Sequence, residues 1–115
     1  MKQELTLEQS KTLVERGVFY TRLSYDDCGR RIPRFKVCDL LEQLPQQIEV
    51  VRNNVKTKAR LHIIGCDSCW KVSYSYYHKG SLFNCCCYND EEVVDGLYNA
   101  LLWVVEKGHL ETEEK

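Results

Sequence analysis

The chain of 115 residues has two prolines, one methionine and no run of about 18 apolar residues, so nothing in it is fit to cross a membrane as a helix. The stretch from Met1 to Ser10 lacks the apolar core of a signal peptide, and a cytoplasmic location is expected. There is no glycine-rich phosphate loop, no His-Glu-x-x-His and no Gly-x-Ser-x-Gly, which removes the usual signatures of nucleotide, zinc-protease and serine-hydrolase chemistry. Repeats and low-complexity segments are also lacking, so residues 1–115 are read as one domain with a frayed tail at 111–115. A chain of this length buries enough surface to fold without disulfides or metal.

What is present is a set of well-punctuated elements. Thr6 and Gln9 form a Thr-x-x-Gln capping box for a short helix from Leu7 to Arg16, and Gly17 is placed to end it. Val18 to Tyr25 alternates as a strand, Asp26 to Gly29 is a turn, and Arg30 to Lys36 is the returning strand. Pro33 confines that strand to a sheet edge. Cys38 to Leu44 fits a middle helix stopped by Pro45, and Ile48 to Val51 a strand, with a turn at Asn53 and Asn54. Ala59 to Gly65 is the next strand.

Trp70 to Tyr76 has a strict period of two, with Trp70, Val72, Tyr74 and Tyr76 on one face. Leu82 to Tyr88 returns antiparallel, and a tight turn would set Tyr74 opposite Asn84, Val72 opposite Cys86 and Trp70 opposite Tyr88. Asn89 to Leu110 is a long amphipathic helix capped by Asp90, with Gly108 as its stop. The expected fold is α+β: an antiparallel sheet of four to five strands, covered on one side by the long C-terminal helix, with short N-terminal and middle helices.

Seven cysteines form the most conspicuous chemical feature. An odd number without an export signal argues against a disulfide framework. Cys66-Asp67-Ser68-Cys69 places a Cys-x-x-Cys at a hairpin turn, where a zinc knuckle would aim two thiolates at one ion. If metal is bound at all, the ligands are Cys66, Cys69 and Cys87, with Cys28, Cys85 or a histidine as the fourth. With no second paired motif, neither metal nor any other cofactor is expected. A thioredoxin-like role is disfavoured because a strand, not a helix, follows the pair. The three histidines, His62, His78 and His109, are scattered and suggest no Cys/His catalytic pair, so no catalytic residue is assigned.

The net charge of −1 conceals an asymmetry, with a basic surplus over residues 16–60 and an acidic one over residues 90–115. Arg30, Arg31, Arg34 and Lys36 surround Phe35, and Arg52, Lys56, Lys58 and Arg60 form a second cluster. Cations interleaved with an aromatic residue suit nucleic acid through phosphate contact and stacking. With a pI near 6.3 and no readable nucleic-acid motif, the favoured role of these charges is to keep an edge strand soluble.

The C-terminal helix carries a main apolar stripe of Val93, Val94, Leu97, Tyr98, Leu101, Leu102, Val104 and Val105, expected to cover the sheet. At about 100° per residue, Trp103 falls on the far side, beside Gly96, Asn99 and Ala100. That small-residue groove reads as a second contact, made either with the N-terminal helix or with a second copy or protein partner.

Three segments carry a resemblance: Leu5 to Gly17, Val37 to Pro45, and Asp95 to Leu110 with its Asn99-Ala100-Leu101-Leu102-Trp103 core. Together they resemble a group of small proteins of Bacteroides-type gut bacteria that often occur among phage-like genes. The likeness spans most of the chain, lies in helix starts and stops, and assigns no catalytic or ligand residue. It implies a non-enzymatic accessory protein of a prophage or mobile element that works through protein–protein contact. The alternative is a small zinc- or nucleic-acid-binding module using the Cys66/Cys69 turn or the basic clusters at 30–36 and 52–60.

Overall fold

The computed structural model describes residues 3–18, 23–25, 29, 31–52 and 54–108. Among the described residues three helices and six strands follow one another as α1 (Leu7–Glu15), β1 (Leu23–Tyr25), β2 (Arg31–Pro33), α2 (Val37–Gln43), β3 (Gln47–Arg52), β4 (Val55–Gly65), β5 (Trp70–His78), β6 (Ser81–Asp90) and α3 (Val93–Glu106). The fold is α+β. Strands β3 to β6 form one four-stranded antiparallel meander in sequence order, and β1 and β2 form a separate antiparallel pair. Pro33 lies in β2, whose one strand partner among the described residues is β1, consistent with its missing donor. No helix among the described residues is long and apolar enough to cross a membrane.

The α1 start is as its sequence requires. The Gln9 N–H donates to Thr6 Oγ1 at 3.2 Å and the Thr6 N–H to Gln9 Oε1 at 3.0 Å, and Gly17 stops the helix at φ +88°. Its buried face is narrow: Leu13 and Ser10 are buried while Leu7 is exposed. Val18 is buried as the helix stop, its N–H donating to the Leu13 carbonyl, rather than opening a strand.

One register differs from expectation, for two identifiable causes. The β5–β6 turn consists of Lys79 and Gly80, both with positive φ (52° and 80°), so His78 pairs with Ser81. This two-residue geometry matches the twist of its strands and favours glycine at its second position. A bulge then leaves Cys85 as an extra residue, so that Tyr74 faces Cys86, Val72 faces Tyr88 and Trp70 faces Asp90. The turn and the bulge together displace the expected register by two residues, which preserves the faces. Consequently β6 runs to Asp90, and Asp90 does not cap the helix: Glu92 stands at that position without a side-chain cap, and the Asp90 carboxylate accepts from Asn99 Nδ2 at 3.2 Å.

The helix α3 packs on β5 and β6 and touches α2 as well. The orientation reverses the expected one. The face of Gly96, Asn99, Ala100 and Trp103 lies on the sheet: a β-carbon on Gly96 would stand 2.9 Å from Val72 Cγ2, and Trp103 stacks on Tyr74 with centroids 5.8 Å apart. The small residues admit the close approach. Val94, Leu97, Leu101 and Val104 of the main stripe are fully buried as well, because α3 is enclosed by the sheet and by the helical layer. A hydrogen bond from Gln9 Nε2 to Asp95 Oδ1 (3.0 Å) ties α1 to α3. Tyr74 is fully buried, and its hydroxyl donates to the Pro45 carbonyl at 2.6 Å, fastening the sheet to the segment after α2.

Candidate functional site: the open face of the sheet

The strand period of two divides each strand of the meander between two faces. One face, with Ile48, Ala59, Leu61, Val72 and Tyr74, belongs to the core. The other receives Lys56, Lys58, Arg60, His62 and Ile64 from β4, Lys71, Ser73, Ser75 and Tyr77 from β5, Gln47, Glu49 and Val51 from β3, and Leu82, Asn84, Cys87 and Asn89 from β6. Lys58, Arg60, Tyr77, Asn84, Cys87 and Asn89 are all exposed, so this face is open.

Its relief follows from side-chain size. Ser73 and Ser75 occupy the middle and are each 2% exposed, their hydroxyls 3.3 Å apart. Ser75 Oγ donates to Asn84 Oδ1. Longer side chains stand on both sides: Arg60 across from Ser75, His62 and Cys87 flanking Ser73, and Asn84 beyond Ser75. The result is a shallow trough along β5 with a basic wall on β4. At its end Lys58, Arg60, His62, Ser75, Tyr76 and Tyr77 line an open depression of about 280 Å³. A second depression, about 560 Å³ and lined by Gln46, Gln47, Arg60, Leu61 and Ile63, adjoins it through Arg60.

The face is electropositive. Lys56, Lys58, Arg60 and Lys71 are opposed by Glu49, which lies across from Lys58 and pairs with Lys56 at 3.5 Å. Both partners of that pair are solvent-exposed, so it is worth less than about 1 kcal/mol and leaves the lysine available. Among the described residues, Arg60 and Lys71 have no acidic cross-strand neighbour, facing Gln47, Ser75, Ile64 and Asn89 instead. Tyr77 is 71% exposed, whereas its neighbours Tyr76 and Phe83 stack on each other at 5.7 Å on the opposite face.

The other candidate positions fall elsewhere. In the 30–36 cluster, Phe35 is 1% exposed and therefore packs in the core instead of offering a ring to a ligand. Arg34 donates through Nε and Nη2 to Glu4 Oε2 at 3.1 and 2.7 Å, which neutralises it. Lys36 precedes α2 and its N–H donates to Asp39 Oδ2. Arg30 lies outside the described residues, as do Cys28 and His109. Arg34, Phe35 and Lys36 thus serve a structural junction rather than an open surface.

The cysteine set is not assembled either. Cys66 and Cys69 close the β4–β5 hairpin, the Cys66 N–H donating to the Cys69 carbonyl at 2.8 Å. Burial and the adjacent Cys66 thiol push the Cys69 thiol above its ordinary range. Cys87 faces Ser73, four residues along β5 from Cys69 and therefore about 13 Å away, so it cannot join that pair. Among the described residues no three His, Cys, Asp or Glu side chains are grouped to hold a metal ion. Cys86 lies against the core opposite Tyr74, and burial pushes its thiol up to about 11.

The expected partner groove of Gly96, Asn99, Ala100 and Trp103 is filled by this chain's own β5. Gly96 and Ala100 are buried, and Trp103 is half-buried over Tyr74. Sequence reasoning missed the open-face site by starting β4 at Ala59. The alternation of Lys56, Lys58, Arg60 and His62 with Thr57, Ala59, Leu61 and Ile63 was the signal that would have found it. No protein-family model, no curated protein and no solved structure matches the chain.

Proposed function

We propose that this chain is a non-enzymatic accessory module that binds a polyanionic partner on the open face of its sheet. The observation that carries this reading is the β4 alternation, which brings Lys56, Lys58, Arg60 and His62 onto one exposed face beside Lys71. A like-charged stripe of this kind repels itself, and a bound polyanion relieves the repulsion while releasing its own counterions. The accessory role implied by the phage-associated resemblance fits a small protein that works by contact alone. The contact surface moves from the Trp103 groove to the sheet.

Retention on an immobilised sulfated polysaccharide tests the proposal. Wild-type protein should bind at low salt and elute as salt rises. Lys58→Glu with Arg60→Glu should elute at markedly lower salt. Lys11→Glu with Lys107→Glu, placed on α1 and at the end of α3, should leave elution nearly unchanged. Absence of retention in the wild type, or equal weakening by both pairs, would overturn it.

A further inference from the structure

The open face carries more than charge. Tyr77 projects an aromatic ring into solvent at one end of the trough, beside Lys58 and Arg60. The ring stands across from Leu82 and is 71% exposed; among the described residues the Tyr77 side chain makes no hydrogen bond or ring contact, while Tyr76, Phe83 and His78 form an aromatic group of their own. An exposed tyrosine flanked by two cations fits a planar, electron-rich group attached to an anionic chain. The adjoining depression of about 280 Å³ is smaller than a typical small-molecule pocket of ~300–1,000 Å³, and it suits one planar unit of a longer ligand.

The rest of the trough agrees with this. From Lys71 to Tyr77 it runs about 20 Å, six residues at strand spacing. Ser73 and Ser75 lie buried beneath it, so a ligand rests on the flanking Arg60, His62, Asn84 and Cys87 side chains. The exposed amides of Asn84 and Asn89 stand on the wall opposite the cations, and each offers both donors and acceptors to the edge of a base. One wall therefore suits phosphates and the other suits base edges, with a stacking ring at the end. A duplex presents phosphates but keeps its bases stacked, and an acidic peptide has no planar groups for the ring. We infer that the polyanion taken by this face is a single-stranded nucleic acid, bound by phosphate contacts from Lys58, Arg60 and Lys71 and by stacking of one base on Tyr77. This inference rests on the polyanion reading above and names its ligand class.

The test is fluorescence anisotropy of a labelled oligothymidylate of about twelve nucleotides, within the range of single-strand site sizes. Competitors are the matching duplex, inorganic polyphosphate and polyglutamate. The single strand should bind, and none of the competitors should displace it at equal charge concentration. Tyr77→Ala should weaken binding roughly tenfold, and Tyr77→Phe, which keeps the ring, should stay within about twofold of the wild type. Tyr77→Ala should not change retention on the sulfated polysaccharide. Equal binding of polyphosphate or duplex, or full binding by Tyr77→Ala, would overturn the nucleic-acid inference while leaving the polyanion reading standing. Displacement by polyglutamate would assign the face to an acidic protein segment and overturn the inference in the same way. Failure of every polyanion to bind would remove both.

Discussion

Gly96 is the position where two well-known effects oppose each other most directly. In the interior of an exposed helix, replacing glycine with alanine stabilises by about 1 kcal/mol through backbone entropy. Here the new β-carbon would stand 2.9 Å from Val72 Cγ2, closer than real carbon contacts allow. Val72 is fully buried on β5 between Ile63 and Tyr88, so its β-branched side chain has little room to retreat. Overpacking of this kind costs about 1–3 kcal/mol, so the sum for Gly96→Ala is a destabilisation of about 1 kcal/mol. Val72→Ala alone should cost about 2 kcal/mol for its lost methyls and cavity. In the Val72→Ala background the clash is gone, and Gly96→Ala should there stabilise by about 1 kcal/mol. Urea denaturation of the four proteins in the cycle gives the coupling, expected near 2 kcal/mol in favour of the double variant. A stabilising Gly96→Ala in the wild-type background, or a coupling near zero, would show that α3 does not lie on β5 through this face.

Trp103→Ala should lower stability by about 2–3 kcal/mol, less than a fully buried tryptophan because Trp103 is half-buried over Tyr74, and sedimentation should show no change of assembly attributable to it. Tyr74→Phe removes the hydroxyl that donates to the Pro45 carbonyl and should cost about 1–2 kcal/mol in urea unfolding. The Cys86 thiol is neutral when protonated and is pushed by burial from the ordinary thiol value of 9.0 up to about 11, so its contribution to stability is complete below pH 9 and lost as pH rises towards 11. Burial also raises Tyr74, so the melting temperature should be flat to about pH 8.5 and fall above it, less steeply in Cys86→Ala. If three cations contact phosphate, the log–log salt slope for a single strand should be about −2, and affinity should fall roughly 20-fold between 50 and 200 mM salt.

The elements readable in advance were those whose signals are local. The Thr6/Gln9 capping box, the stop at Gly17, the proline after α2 and the alternation of Trp70, Val72, Tyr74 and Tyr76 each depend on residues within a few positions, and each has its expected outcome in the structure. What was not readable depended on distant fit. The bulge at Cys85 inserts a residue opposite Tyr74, and the β6 sequence itself holds no glycine or proline to announce it. A helical wheel gives the angle between the Trp103 face and the main stripe, but not which of them meets the sheet. Close packing against β5 selected the face with Gly96 and Ala100, since bulky residues there would hold the helix off.

Asp90 after Asn89 has the composition of a helix cap, yet pairing with Trp70 extends the strand through it. The candidate site was obscured differently. Lys56, Lys58 and Arg60 were visible as a charge cluster, but only a strand beginning at Val55 turns that cluster into a face, and only the adjacent β5 supplies Ser73, Ser75, Lys71 and Tyr77 to complete it. Phe35 had the opposite fate: its basic neighbours suggested a surface ring, and the burial of its side chain beside α1 and α2 shows it to be core.

The most direct test of the binding face is a backbone-amide NMR titration of isotopically labelled protein with the oligothymidylate. The account predicts that the perturbed amides cluster on β4 and β5 around Lys58, Arg60, His62, Ser75 and Tyr77, with α1, α2 and the residues around Arg34 nearly unmoved. Perturbations centred on Arg34 to Asp39 or on α3, with β4 and β5 silent, would contradict it.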